Sequence, residues 1–379
     1  MKLKYLYDLT LLLSLFPWVS FSLISGGLQP YFMIMMIFTL IVHICIRKSV
    51  GFEYVLFIIP LLFVFINSYN GELYDLLRQT ISYTVAIASL IFIKQYIILY
   101  GFPKRIIIIS IYIWFLAALL QIFVDETIFK FLIHSRTTEL RGATSFSSEP
   151  GYFGLHMATL ISWLVLFSKK KENVRNIMFA LVAIILCASV VGGYFIFLFF
   201  VAAGIHRKIF TFKIVVISAL VGMLLFSLFL AEKRLGQLTY QAYNKGIGSV
   251  FSGDESAATR IKKMVTPFIL SYYNYFIPST SGIIRSTSIL TRHDRTNVNL
   301  SADNTIGSYI GRLVFHWGIL FILPFFILMN YLFLIKIRLF IAILLITIAL
   351  LAAAPPAYPI IPFIVSCIYY LEIKKTFKN

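Results

Sequence analysis

The sequence predicts an all-α polytopic membrane protein of about twelve transmembrane helices, forming a single integral membrane domain over residues 1–379. Three observations carry this. Of the 379 residues, 60% are hydrophobic, 17% aromatic and 13% charged, and soluble domains sit near a quarter charged. The apolar runs reach bilayer-crossing length, about 20 residues each. Basic residues also recur in every second connection, as the positive-inside rule requires.

In chain order the spans fall at 9–26, 30–46, 50–67, 79–95, 105–123, 149–167, 176–190, 193–205, 214–231, 306–334, 339–354 and 359–372. The first follows "MKLK". With no small-residue cleavage site behind it and many spans to follow, it reads as a retained anchor. The basic connections are Arg47 with Lys48, Lys104 with Arg105, Lys169–Lys171 with Arg175, Arg207 with Lys208, and Lys336 with Arg338. The tail "EIKKTFKN" completes the alternation and places both termini in the cytoplasm. The net charge of +18 therefore records topology, and nucleic acid is not the implied partner. Cys45, Cys187 and Cys367 all fall inside apolar runs, which argues against disulfides and structural zinc. His43 and Glu53 lie near cytoplasmic span ends and read as interfacial.

Three outer segments are more than turns. "NSYNGELYDLLRQ" carries Glu72, Asp75 and Arg78. A medium loop over 124–148 holds Arg136 and Arg141 and leads into Glu149. A large loop over 231–305 is long enough to form a folded or re-entrant cap. Within it "DESAATRIKKMVTPFILSYY" reads as a helix capped by Ser256. The loop also holds Lys233, Arg234, Lys245, Arg260, Lys262, Lys263, Arg285, Arg292 and Arg295. Long translocated loops disregard the positive-inside rule, so this charge is compatible with a solvated surface. It equally suits an anion site, because arginine offers phosphate a planar fork of permanently charged donors. No DxD-like acidic cluster stands outside the membrane, so the arginines would supply countercharge without a cation or cofactor.

"SFSSEPGYFG", residues 145–154, joins the medium loop to the sixth span. A residue before proline is pushed out of helical geometry, and proline is tolerated in a helix's first turn. Pro150 thus opens the span with Glu149 at its N-cap, near the positive end of the dipole. Gly151 and Gly154 permit close approach of a neighbouring backbone. Glu149 can simply cap the helix and pair with Arg141, or it can orient an arginine or bind sugar hydroxyls; the two are compatible. His316, at "FHWG" in the tenth span, is either hydrogen-bonded structure or a substrate ligand. His134 and His293 stand in outer loops and read as solvated.

The chain resembles the Wzy-type O-antigen polymerases. The likeness rests on the topology and on Arg136, Arg141, Gly142, Ser148, Glu149, Pro150 and Gly154, read as Arg-x(4)-Arg-Gly ending in Ser-Glu-Pro-x-x-x-Gly. "SAATRIKK" is similar to the family's small-residue run leading to an arginine, here Arg260. "ADNTIGSYIGRLVFHWGIL" resembles the polar-Asn motif and Gly-rich span that follow the loop in polymerases and in O-antigen ligases. The motifs cover about thirty residues. Two departures stand out: "CASVVGG" lacks a Ser-Arg, and Asp303-Asn304 occupies the place of the ligases' His-Asn, which favours polymerase over ligase.

The resemblance implies a C-type membrane glycosyltransferase of the bacterial inner membrane, with its active site facing the periplasm. Its substrate would be undecaprenyl-pyrophosphate-linked oligosaccharide, and its partners the lipid bilayer and a chain-length regulator membrane protein. Arg260, Asp303 and Glu149 are the implied catalytic set, with Arg136, Arg141, Arg285, Arg292, Arg295 and His316 around the substrate. Competing classes are a lipid-linked oligosaccharide flippase or transporter, a ligase, and a non-catalytic membrane partner. A transporter should carry charge deep in its spans and near-symmetric halves, whereas the ionisable residues here cluster in outer loops.

Overall fold

The computed structural model describes residues 3–20, 31–48, 51–68, 73–133, 142–167, 174–187, 309–321, and a few positions at 240, 244, 267–268, 271–272, 275–278, 358–359 and 362–363. Among these the chain is helical, with no strand. The helices are α1 (Leu3–Ser14), α2 (Tyr31–Arg47), α3 (Ile58–Asn67), α4 (Leu73–Tyr100), α5 (Lys104–Phe123), α6 (Pro150–Phe167), α7 (Val174–Leu186) and α8 (Tyr309–Trp317). Short 3-10 turns at Phe52–Phe57 and Gly318–Phe321 precede α3 and follow α8.

Among the described residues, two helical stretches are long and apolar enough to cross a bilayer: Leu76–Tyr100, of 25 residues, and Lys104–Phe123, of 20. Shorter apolar helices occupy Tyr31–Arg47, Glu53–Asn67, Val174–Leu186 and Ile310–Leu320. Large aliphatic and aromatic side chains stand exposed on α2 (Ile34, Phe38, Ile41), α3 (Leu61, Phe65) and α5 (Ile109, Leu116). Soluble monomers rarely expose apolar surface on that scale, and hydrocarbon is the solvent in which it carries no penalty.

Local chemistry sets the helix ends. The first span, expected over 9–26, is already helical at Leu3 and ends at Ser14. Pro17 explains the stop, since it removes a backbone donor and displaces Phe16 from helical geometry. Ser14 closes the turn by donating to the Leu11 carbonyl at 2.7 Å. α4 outruns the expected 79–95 at both ends. At its start, Thr80 donates to Leu76 O at 2.7 Å within the helix. At its end, Gly101 at φ +78° hydrogen-bonds back to Ile97 O at 3.0 Å, the left-handed cap that glycine adopts without a Cβ penalty. Pro103 then fixes the entry to α5.

The chain divides into two compact units. The first comprises residues 1–43 and 95–253. Within it α5, α6 and α7 pack on one another and α1 packs on α5. Trp114 is its pivot: fully buried, stacked on Phe16 (5.5 Å) and Phe153 (5.6 Å) and 4.5 Å from the His156 ring. His43, expected at the interface, is instead buried, with Tyr7 Oη 2.9 Å from its Nδ1. The aromatic floor of Tyr7, Tyr96 and Tyr100 encloses it, and Tyr96 donates to Asp8 at 2.6 Å. Burial follows because a neighbouring hydroxyl satisfies the imidazole.

The second unit comprises residues 44–94 and 254–379. Glu53 pairs with Lys94 at 3.3 Å. Phe63, Tyr83, His316 and Trp317 form one aromatic cluster. The tenth span, expected to run unbroken over 306–334, changes at Gly318. Gly318 takes φ +54°, and the Ile319 amide donates to Phe276 O at 2.9 Å instead of continuing the α-helical ladder. The remaining expected spans, and most of the proposed Ser256-capped helix, lie outside the described residues.

Candidate functional site at the Ser-Glu-Pro turn

The stretch from Ala143 to Glu149 contains no glycine or proline, yet it makes a tight, buried turn: Ala143, Thr144, Ser145 and Ser147 are all buried. Its backbone is satisfied from outside. The Ala143 amide donates to Leu186 O, at the end of α7, at 3.0 Å. Gln121 Oε1, on the last turn of α5, accepts from the amides of Thr144 (3.0 Å) and Ser145 (2.6 Å). Gln121 Nε2 donates to Thr144 Oγ1 at 3.1 Å. Ser145 sits at φ +50°, a left-handed geometry uncommon for a residue with a Cβ, and its hydroxyl donates to Trp114 O at 2.8 Å.

The turn leads directly into the helix. The Ser147 amide donates to Thr144 O at 3.0 Å. The single Ser147 hydroxyl proton is shared between Thr144 O (2.9 Å) and Glu149 O (2.6 Å). The Glu149 carbonyl accepts from the amides of Tyr152 (3.1 Å) and Phe153 (3.2 Å), and α6 begins at Pro150. Glu149 thus occupies the N-cap position and is only partly exposed. A carboxylate there faces the orphan amides and positive end of the helix. Below it, Trp18 lies against Tyr152 (5.7 Å) and His156 (5.9 Å), and Phe146 against Trp114 and Phe129. These rings make a rigid base for the turn.

In the second unit His316 is buried on α8, with Tyr83 Oη 3.0 Å from Nδ1. Asn67 Nδ2 donates to Phe63 O (3.1 Å) and His316 O (3.3 Å). Among the described residues, Asn67 Oδ1 and Trp317 Nε1 are buried without a hydrogen-bond partner.

Of the candidate catalytic and substrate-binding residues, Glu149 and His316 are described, one in each unit. Arg136, Arg141, Arg260, Arg285, Arg292, Arg295 and Asp303 lie outside the described residues. Among the described residues no group of three or more His, Cys, Asp or Glu side chains could hold a metal ion. Two residues escaped the sequence reading: Gln121, which holds the turn, and Tyr83, which holds His316. The signal for Gln121 was a lone amide in the apolar run "WFLAALLQIF", one turn from its outer end. Such a group seeks a partner, because burying an amide unsatisfied is costly. The chain matches no family model, no curated protein and no solved structure.

Proposed function

We propose that this chain polymerises undecaprenyl-pyrophosphate-linked oligosaccharide repeat units at the periplasmic face of the bacterial inner membrane. In this reading it is a twelve-span C-type glycosyltransferase with both termini in the cytoplasm. The bond from the sugar's anomeric carbon to pyrophosphate breaks, and a new bond forms to a hydroxyl of the next lipid-linked unit. Arg260, with Arg285, Arg292 and Arg295, stabilises the departing pyrophosphate electrostatically. Asp303 accepts the proton of the incoming hydroxyl. Arg141, oriented by Glu149 and flanked by Arg136, holds a substrate phosphate or an acidic sugar.

The observation that carries the reading is the Ser-Glu-Pro turn. Its Glu149 starts helix α6 from a turn hydrogen-bonded to α5 and α7. These bonds support the reading because they fix the backbone from which the Glu149 side chain projects, and a functional side chain needs such a support.

The test is reconstitution of the purified full chain in liposomes with a lipid-linked oligosaccharide repeat. A ladder of lipid-linked products with increasing numbers of repeats is expected. Transfer to a lipid A-type acceptor alone would make it a ligase. Movement of the lipid across the bilayer without any longer product would make it a flippase, and either result would overturn the polymerase reading.

A further inference from the structure

We infer that Gln121 is a positioning residue for Glu149 in the proposed glycosyl transfer, and this inference rests on that reading. Gln121 touches neither substrate nor Glu149; it acts through three consecutive links. Its Oε1 fixes the amides of Thr144 and Ser145. The Thr144 carbonyl in turn takes the Ser147 amide at 3.0 Å. The Ser147 hydroxyl reaches the Glu149 carbonyl at 2.6 Å, the same carbonyl that begins α6. The carboxylate-bearing residue is therefore tied to the outer end of α5 through one side-chain amide.

The segment's own sequence does not supply this order. Ser145 at φ +50° is disfavoured by its Cβ, so an external hold is needed to keep it there. A glutamine suits the task, because one neutral group provides both an acceptor for two amides and a donor for Thr144 Oγ1. A glutamate in this position, 3% exposed, would be kept neutral by burial and so would retain a carbonyl acceptor and one O–H donor. The hold extends upstream as well. The Ala143 amide is fixed to Leu186 O, so the turn is held at its start as well as at Thr144 and Ser145.

The experiment uses the full chain in liposomes and compares Gln121→Leu, which removes donor and acceptor at similar volume, with Gln121→Glu, which keeps the acceptor. Two readouts are taken: kcat and KM per folded molecule for a lipid-linked oligosaccharide repeat, and hydrogen exchange at the Thr144 and Ser145 amides. In Gln121→Leu we expect both amides to lose protection and kcat to fall about 100-fold, the scale of an ångström-level misplacement. KM should stay within about twofold, since no substrate contact is removed. Gln121→Glu should recover kcat to within about fivefold of the native chain.

A Gln121→Leu variant that loses protection yet turns over at the native kcat overturns the inference. So does one that loses only folded yield, and so does a Gln121→Glu variant as slow as the leucine. If Gln121→Leu does not insert, Gln121→Asn, whose amide stops one methylene short of the turn, carries the same test. Absence of any transfer by the native chain overturns the polymerase reading itself, and is read separately from amide exchange.

Discussion

Tyr83 and His316 stand 233 residues apart in the chain, yet the tyrosine hydroxyl lies 3.0 Å from the imidazole Nδ1. Both side chains are buried, and the Phe63 ring lies within contact of each, at 4.8 Å and 5.8 Å. Removing one partner leaves the other's polar atom buried, a loss of roughly 1–3 kcal/mol. Tyr83→Phe should therefore lower stability by about that amount, read as a reduced midpoint of thermal unfolding in detergent. If His316 serves structure alone, the folded fraction of Tyr83→Phe should polymerise at the native rate. A midpoint unchanged by Tyr83→Phe would show that this bond does not hold the cluster.

Gly318 carries the second prediction. Its φ of +54° is left-handed, and a Cβ built there would overlap the Phe276 carbonyl. That carbonyl is the acceptor for the Ile319 amide, so it cannot withdraw without losing the bond. Gly318→Ala should cost roughly 1–3 kcal/mol through strain and displacement. Urea or thermal unfolding of the detergent-solubilised variant checks this. A stability equal to that of the native chain would mean that the segment around Phe276 shifts freely.

The connection after α5 supplies a pH prediction. Asp125 accepts from the Thr127 amide and from the Thr127 hydroxyl, each at 2.8 Å. These bonds, the amide first, with the nearby Lys130 charge contributing less, hold its carboxyl below the usual aspartate range. A carboxyl depressed by folding contributes stability above its unfolded pKa, and that contribution is lost as pH falls through the folded value. Asp125→Asn should thus be slightly less stable than the native chain above about pH 4, with the difference closing as pH falls and the acid limb flattened accordingly. The group is exposed, so the effect is small. Unfolding midpoints of both proteins across pH 3–7 decide it, and parallel acid limbs would refute it.

Helices fall within a few residues of the second, third, fifth, sixth and seventh apolar runs, and Arg47, Pro103 and Pro150 mark three of the ends, where local chemistry also bounds a helix. Hydropathy missed where the chain's own breakers sit inside an apolar run. Pro17 interrupts the first run and Gly318 the tenth, and a single such residue among many apolar ones barely moves the average. At the site, the N-cap position of Glu149 follows from the rule for residues preceding proline. The clamp by Gln121 does not, since it joins positions 23 and 24 residues apart through a fold that no local pattern encodes. His43 shows the same limit: Tyr7, 36 residues away, decides its burial.

Arg260 is predicted to be the principal ligand of the departing pyrophosphate. It is the first basic residue of "SAATRIKK" in the long polar stretch over 231–305. A charge-assisted bond to phosphate contributes roughly 1.5–3 kcal/mol, so Arg260→Ala should reduce polymerisation about tenfold to a hundredfold. Lysine keeps the charge and loses the two-pronged fork, so Arg260→Lys should remain impaired. Polymer yield at matched protein level is the measurement. Near-native polymer from Arg260→Ala would assign the leaving group to another arginine.

The last prediction couples Glu149 to Arg141. Glu149 is fixed at the start of α6 by its own carbonyl and by Ser147, and Arg141 precedes it by eight residues in the sequence. If the carboxylate's task is to orient the guanidinium toward a phosphate or acidic sugar, removing either one removes the same interaction. The losses in Glu149→Gln and Arg141→Gln should then overlap, and the double variant should be little worse than the more damaging single one. Glutamine is chosen at both positions because it keeps hydrogen-bonding capacity and removes charge, and because Glu149→Gln leaves the backbone cap of α6 intact. Stability should barely move in Glu149→Gln, since the bonds holding the turn come from backbone, Gln121 and serine hydroxyls. Transfer should fall about tenfold or more if a charged bond to substrate is misdirected. The double-variant cycle, run on kcat/KM with lipid-linked oligosaccharide, decides between shared and separate roles. Fully additive losses would mean that Glu149 meets the substrate on its own, through sugar hydroxyls, and that Arg141 is held by something else.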